Sequence, residues 1–378
     1  MKVTTYGMLA SAALLLLLST AACGGSDDTS EEERAPIDRV EVPDSPFKPT
    51  DLEATIDGLV DELGQTPPPS MQLGVVTKTL TGYWEPVVVG ANRAIGELEV
   101  AGSVVAPTED TEEERTARQL EILQEQREAE YDGIGIAPMA TDVATEIDAA
   151  VDAGIPVVTI DSDLPDSERQ LYIGTMNYEA GETAGNTLLD LLTASEGTVF
   201  LLGHDDEEDW PDGYHRTMGA KDVLEEAGFT VVIRRSTWTD DGEQLDVEAL
   251  TEGLTDADPP AVGMIGLFSN AYRNAMAAEA AGLTADDVTL VAFDFEPQTL
   301  EYMRSGLIQA THVQRQYYMG YLVPYVLAGF ETLGVEATKE LLGSHMVDSD
   351  RFNAGLDVVG SDQIDDYNDF LDSLGIGG

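Results

Sequence analysis

The residues with most chemical potential are polar side chains that follow short apolar runs. Asp161, Ser162 and Asp163 follow one such run, Asp294 another, Gln314 a third, and Phe268, Ser269 and Asn270 a fourth. Lys78, Thr79, Thr81, Tyr83 and Trp84 come after the first run, and Arg216 lies just beyond a loop over 204–213. Together they supply carboxylates, amides, a guanidinium and aromatic rings. Sugars demand this mixture, because a planar carboxylate or amide bridges paired hydroxyls while the C–H faces of the ring lie on aromatic planes. Each residue also has a plainer role open to it. Asp161 or Ser162 could cap a helix, as could Asp294 ahead of Glu296-Pro297, and Tyr83 and Trp84 could be core aromatics.

Stepping along the chain from Met71, strand and helix patterns alternate. Strands are expected over 72–77, 100–107, 133–137 and 155–160, with helices over 85–98, 109–131 and 143–153 between them. The pattern then repeats, with strands over 198–202, 230–234, 261–267, 289–293 and 308–313. The helices of this half are expected over 179–192, 214–227, 247–254, 274–281 and 297–305. Strands separated by helices imply parallel sheets with right-handed crossovers, so the expected fold class is α/β with two doubly wound lobes. Such a protein binds small molecules in a cleft at the carboxyl ends of its strands, where the polar residues above fall.

Other chemistries find little support. The run from His204 to Trp210 is rich in carboxylates, but it lacks the alternate spacing and turn glycine of a calcium loop. It reads as a solvated acidic loop in which Trp210 is positioned to reach the cleft. His215, His312 and His345 have no zinc-ligand spacing, although His215 adjoins Arg216 and is a candidate lining residue. No phosphate loop, nucleophile elbow or dinucleotide fingerprint occurs, and no cofactor or metal is expected.

The composition narrows the class further. Across 378 residues, 72 Asp and Glu face 19 Lys and Arg, for a net charge of −53, yet 43% of residues are hydrophobic. That is a folded chain with enough apolar sequence for two domains. Its charge excludes nucleic acid, which would be repelled, and disfavours anionic membranes and substrates. A folded protein this acidic is expected to need salt screening.

The N-terminus supplies an address. Lys2 precedes a short apolar run over 9–18, too short to span a bilayer, and small residues follow it, so residues 1–22 read as a secretory signal. Thr20-Ala21-Ala22-Cys23-Gly24 resembles a bacterial lipobox, in which Cys23 is acylated and becomes the mature N-terminus. Cys23 is the sole cysteine, so no internal disulfide forms. Two acyl chains would hold the protein on a membrane. Residues 23–70, acidic and then Pro-rich with a short helix over 51–63, are expected to form a tether.

Four stretches carry a resemblance to a known family: residues 74–90 (GVVTKTLTGYWEPVVVG), 154–185 (GIPVVTIDSDLPDSERQLYIGTMNYEAGETAG), 291–306 (VAFDFEPQTLEYMRSG) and 311–320 (THVQRQYYMG). From about residue 72 onward the chain resembles periplasmic sugar-binding proteins of the ribose-binding type, substrate receptors of ABC importers. The resemblance implies the type I periplasmic binding protein fold, with lobes over 71–175 plus 315–343 and over 176–314 plus 344–378. A three-strand hinge would be crossed near 175–177, 314–316 and 343–347. It also implies roles. Tyr83 and Trp84 look like the aromatic pair that stacks on the sugar, and Asp161 like the first-lobe carboxylate. Arg216, Trp238, Asn270 (or Ser269), Asp294 and Gln314 look like the second-lobe ligands. The position after Asp161 is often Arg in the ribose receptors and is Ser162 here, which points away from ribose itself.

The expected function is a lipid-anchored extracytoplasmic receptor, a monomer and not an enzyme. It would capture a monosaccharide by hinge closure and deliver it to permease subunits. The alternatives are a sensory receptor for a sugar-like signal and an exported carbohydrate-active enzyme using Asp161 and Asp294 as its carboxylate pair.

Overall fold

The computed structural model describes residues 37–66 and 68–377. The expected signal and Cys23 lie outside the described residues. In chain order, helix α1 (Thr50–Gln65) precedes an alternating run. It comprises β1 (Gln72–Val76), α2 (Glu85–Glu97), β2 (Ala101–Val105), α3 (Glu112–Glu128), β3 (Gly133–Ile136), α4 (Ala144–Asp152), β4 (Val157–Ile160) and β5 (Leu171–Gly174). A second run follows with α5 (Asn177–Leu191), β6 (Thr198–Gly203), α6 (Pro211–Glu226), β7 (Thr230–Arg235), α7 (Gly242–Asp256), β8 (Ala261–Gly266), α8 (Tyr272–Ala280), β9 (Thr289–Phe293), α9 (Pro297–Ser305) and β10 (Ile308–Gln314). The chain ends with α10 (Gln316–Thr332), α11 (Val335–Leu342), β11 (Arg351–Asn353), β12 (Leu356–Gly360) and α12 (Ile364–Ser373).

Local chemistry explains many of these boundaries. Proline in the first turn starts α2, α6 and α9, where its missing N–H costs nothing. Thr111 caps α3 by accepting from the Glu114 N–H at 3.2 Å. Gly306, in the left-handed region at φ 83°, ends α9.

The strands form two six-stranded sheets, ordered β11-β5-β4-β3-β1-β2 and β12-β10-β9-β8-β6-β7. The first is parallel throughout, and the second has one antiparallel pair, β10 with β12. This is the expected α/β class with two doubly wound lobes. The chain crosses between lobes three times, from β5 to α5, from β10 to α10, and from β11 to β12. The first two crossings fall where expected. The third does not lie at 343–347, because β11 pairs with β5 and keeps residues through Asn353 in the first lobe. That crossing is made at Ala354 and Gly355. Gly355 has φ 89°, and a Cβ there would run into the Arg315 guanidinium, so this turn needs glycine.

The stretch expected as a tether is folded from residue 37 onward. Leu52, Ile56, Leu59 and Leu63 form one buried stripe of α1, packed in the first-lobe core with Val42 and Phe47. A buried polar network reinforces the contact. Arg39 pairs with Glu53 at 2.6 Å and donates to the Tyr321 hydroxyl at 3.1 Å. Tyr321 and Tyr325 both donate to Glu97, the latter at 2.8 Å. Helix α10, which carries these tyrosines, is buried along nearly its whole length. Among the described residues no helix is long and apolar enough to cross a membrane.

If residues 37–65 belong to the first lobe, truncating Leu59 opens a core cavity. Leu59→Ala is expected to destabilise the first lobe by roughly 2–5 kcal/mol in a denaturant melt. An unchanged midpoint would mean that the segment is only a tether.

Candidate functional site

Two aspartates mark the site through their backbone. Four non-glycine residues among those described have positive φ, and two of them, Glu99 and Glu130, follow helix ends. The other two are Asp161 at φ 66° and Asp294 at φ 64°, each directly after a strand, one per lobe. Left-handed backbone is disfavoured for residues other than glycine, and Asp tolerates it better than most. Matching hydrogen bonds hold both in place. The Asp161 N–H donates to Ile173 O at 3.0 Å, and the Asp294 N–H to His312 O at 2.8 Å. Tyr172 donates its hydroxyl to Asp161 O at 2.9 Å, and Thr311 to Asp294 O at 2.7 Å. Neither aspartate caps a helix. β4 leads to β5 with no helix between them, and α9 is capped at Glu296 without a side-chain bond.

On the first lobe, the Tyr83 hydroxyl donates to Asp161 Oδ1 at 2.5 Å, and Lys78 Nζ donates to Ser162 Oγ at 2.7 Å. Burial, with Asp161 and Asp294 nearby, pushes the Tyr83 phenol well above its usual range, so it stays a donor. Asp163 is taken by Arg169, which grips both its oxygens at 2.5 and 2.7 Å. Trp84 is buried in the first-lobe core, with the Lys78 ammonium 5.8 Å from its ring centre. Of the expected aromatic pair, only Tyr83 bonds to the polar group.

The second-lobe ledge is built around Arg216, which is buried. Its Nε and Nη2 donate to Asn177 Oδ1 at 3.0 and 2.7 Å, its Nη1 to Leu267 O at 3.0 Å, and its Nη2 also to Gln314 Oε1 at 3.3 Å. The guanidinium lies 4.5 Å from the Phe293 ring centre, a cation–π distance. Gln314 in turn donates to Asp294 Oδ1 at 3.3 Å. α5 and α6 must approach closely for Asn177 and Arg216 to meet. Gly181 lies against the Arg216 carbonyl and Gly219 against the Tyr178 carbonyl, leaving no room for a Cβ at either. Burial raises the Asp294 carboxyl to about 6, while Arg216 and Gln314 oppose the shift.

Asp212 and Asn177 complete this ledge, and neither was expected in it. Asn177 Nδ2 donates to Asp212 Oδ1 at 3.0 Å. Burial, and then Asp161 from the other lobe, push the Asp212 carboxyl up to about 7, with Lys78 and Arg216 opposing. Asp212 stands four residues before Arg216 on α6, the helical spacing that could have revealed it.

The remaining expected residues sit at the rim or beneath it. Trp238 is exposed and packs near Trp210 and Phe268, at 6.2 and 6.1 Å. Phe268 adjoins the Arg216 guanidinium at 5.7 Å. Asn270 is buried and donates to Ser236, leaving its Oδ1 without a partner. The acidic loop is ordered by Arg235, which reaches Asp205 at 2.7 Å and Asp206 at 3.2 Å. Among the described residues no His, Cys, Asp and Glu cluster could hold a metal ion. His215 pairs with Glu207 at 3.3 Å, and burial pushes His312 down to about 4.

The two ledges face each other. A cavity of about 200 Å³ is lined by Tyr83 and Pro86 from one lobe and by Asp294, Glu296 and Val313 from the other. Every hydrogen bond named for the two ledges stays within one lobe. A bound molecule with hydroxyls on both faces would supply the bridging bonds.

Residues 73–330 match the family described as periplasmic binding protein domain. Among curated proteins no sequence match is found. Solved structures resemble the chain closely in fold. The arabinose-binding protein AraP from Geobacillus stearothermophilus is 25% identical with TM-score 0.64, covering 79% of this chain and 99% of its own. The glucose-galactose binding protein GanP from the same organism is 26% identical with TM-score 0.60, covering 78% and 98%. An ABC transporter solute-binding protein from Burkholderia graminis, in complex with D-arabinose, is 25% identical with TM-score 0.61, covering 78% and 96%.

The raised carboxyls have a measurable consequence. Folded values of about 7 for Asp212 and about 6 for Asp294 exceed the unfolded value of about 3.9, so both groups take up protons on folding. Their contribution to stability is present in full below the unfolded value and is lost as pH rises to about 7. Asp212→Asn should therefore flatten the fall in Tm between pH 4.5 and 7.5. Parallel Tm profiles for variant and parent would contradict a raised Asp212 carboxyl in this half-buried setting.

Proposed function

The chain belongs to the periplasmic binding protein family, whose members bind rather than transform their ligands, and on that premise we propose that it is the sugar receptor of an ABC importer. The carrying observation is the pair of unbridged polar ledges, one per lobe, each led by an aspartate in the same strained backbone conformation. A monosaccharide suits such a cleft, because its ring carries hydroxyls around its edge and C–H faces above and below. The solved sugar-binding structures at 25–26% identity support the same class of ligand.

In this reading Asp161 and Tyr83 hold the sugar from the first lobe, and Asp212, Arg216, Asp294 and Gln314 from the second. The protein engages four of the five guanidinium N–H groups of Arg216, and the remaining Nη1–H serves the ligand. Trp238 acts at the rim, Asn270 from beneath it beside Ser236, and Trp84 supports Tyr83 from the core. Lys78, seated on Ser162, provides the first-lobe cation at a different position from the ribose receptors and favours a sugar other than ribose. Closure of the lobes joins the ledges and forms the state that permease subunits recognise. Lipid attachment at Cys23 would keep the receptor at the membrane outside the cytoplasm. The charge of −53 fits a salty surrounding, where self-repulsion is screened.

The test is isothermal titration of pentoses and hexoses into the exported domain in molar salt, beginning at residue 37 so that the first-lobe core stays whole. One sugar is expected to bind and be recovered unaltered, and Asp294→Ala should weaken it at least about a hundredfold, the scale of losing a charge-assisted hydrogen bond pair. A folded protein that binds no member of the panel would remove the monosaccharide assignment and leave the signal receptor. Recovery of altered sugar would overturn the receptor reading itself.

A further inference from the structure

Helix α12 runs from the second-lobe core into a hydrophobic cluster shared by both lobes. Ile364, its first residue, belongs to the second-lobe core, whereas Tyr367, Phe370 and Leu374 are buried in a cluster made mostly of first-lobe residues that also takes in Val313 and Val359 of the second lobe. Their spacing places the last three on one helix face. Tyr367 is the junction. Its ring meets Phe47 edge-on at 4.8 Å and 87°, and Phe295 at 4.9 Å and 64°. Its hydroxyl donates to Asp357 Oδ2 at 3.4 Å.

Each partner of Tyr367 has a distinct mechanical place. Phe47 belongs to the N-terminal segment that packs in the first-lobe core. Phe295 is bonded directly to Asp294. Asp357 follows the third crossing and pairs with Arg315, the residue at the second crossing, at 2.8 Å. Beyond Tyr367, Leu371 and Ile376 line the same interlobe cavity as Tyr83 and Asp294. Phe47 and α12 both lie outside the residues matched by the family, 73–330.

We propose that α12 is a strap across the hinge and that Tyr367 is a positioning residue, setting Asp294 through Phe295 and limiting how far the lobes open. Hinge rotation moves Phe295 relative to Phe47, and a ring wedged against both must lose one contact or the other. Wide opening is thereby disfavoured and the binding-competent arrangement is more populated before any ligand arrives. Apparent affinity scales with that population. The effect on sugar affinity rests on the receptor reading, whereas the effect on opening does not.

The experiment compares Tyr367→Ala and Tyr367→Phe with the parent by small-angle X-ray scattering without sugar, then by titration with the sugar that binds. Tyr367→Ala should enlarge the unliganded particle and weaken binding about tenfold. Tyr367→Phe keeps both ring contacts and should stay within about twofold of the parent. If Tyr367→Ala does not fold, the pair Leu371→Ala with Ile376→Ala takes its place with the same expected outcomes. A lowered Tm with an unchanged scattering profile and unchanged Kd would overturn the strap, because a purely structural residue moves only the first. Should no sugar bind, the scattering profile alone decides.

Discussion

A buried guanidinium must find acceptors for its N–H groups, and the second lobe is organised around meeting that demand at Arg216. Its acceptors come from three places far apart in sequence: Asn177 after the first crossing, Leu267 just after β8, and Gln314 at the end of β10. Meeting them fixes α5 against α6, and the glycines at 181 and 219 make that approach possible. It also aligns Gln314 with Asp294. Removing the charge would leave several amide and carbonyl groups buried without partners, so the ledge stands or falls as a unit.

The first lobe solves the same problem with different parts. Asp161 occupies the place equivalent to Asp294 and shares its left-handed backbone, but its side chain is met by a tyrosine rather than an amide. The cation beside it comes from Lys78, on the loop after β1. Two ledges of related geometry and unlike donors suit a ligand whose two edges differ, as those of a sugar ring do. In the proposed receptor reading, unconnected ledges leave the hinge free to move, since a direct bond across the cleft would compete with the ligand.

Elements outside the family's matched stretch are built into this machinery. The N-terminal segment contributes Arg39, Val42, Phe47 and α1 to the first-lobe core, and the C-terminal helix reaches that core from the second lobe. Helix α10 receives the N-terminal segment on its tyrosines, which share Glu97 and Arg39 in a network mostly withdrawn from water. With 19 Lys and Arg against 72 Asp and Glu, cations are scarce, and some of them sit in buried pairs such as Arg39–Glu53 and Arg273–Asp246.

The sequence by itself determined the alternation of strands and helices, the two-lobe class and the polar residues at strand ends, because hydrophobic period and strand-end position are local properties. Asp161, Asp294 and Gln314 were legible as strand-end polar residues for that reason. Tertiary structure alone decided what depends on distant residues meeting. Helix α10 escaped notice because burial on every side erases the periodic stripe by which a helix is read. The third crossing was misplaced because a three-residue strand, β11, is recognisable only by its pairing with β5. Asp212 looked like one more acid in an acidic loop until the fold set it against Asp161 in the opposite lobe. Trp84 and Tyr83 are adjacent and alike in composition, yet one went to the core and the other to the cleft. Neighbours on a turn point in different directions, and only the packed lobe determines which direction is inward.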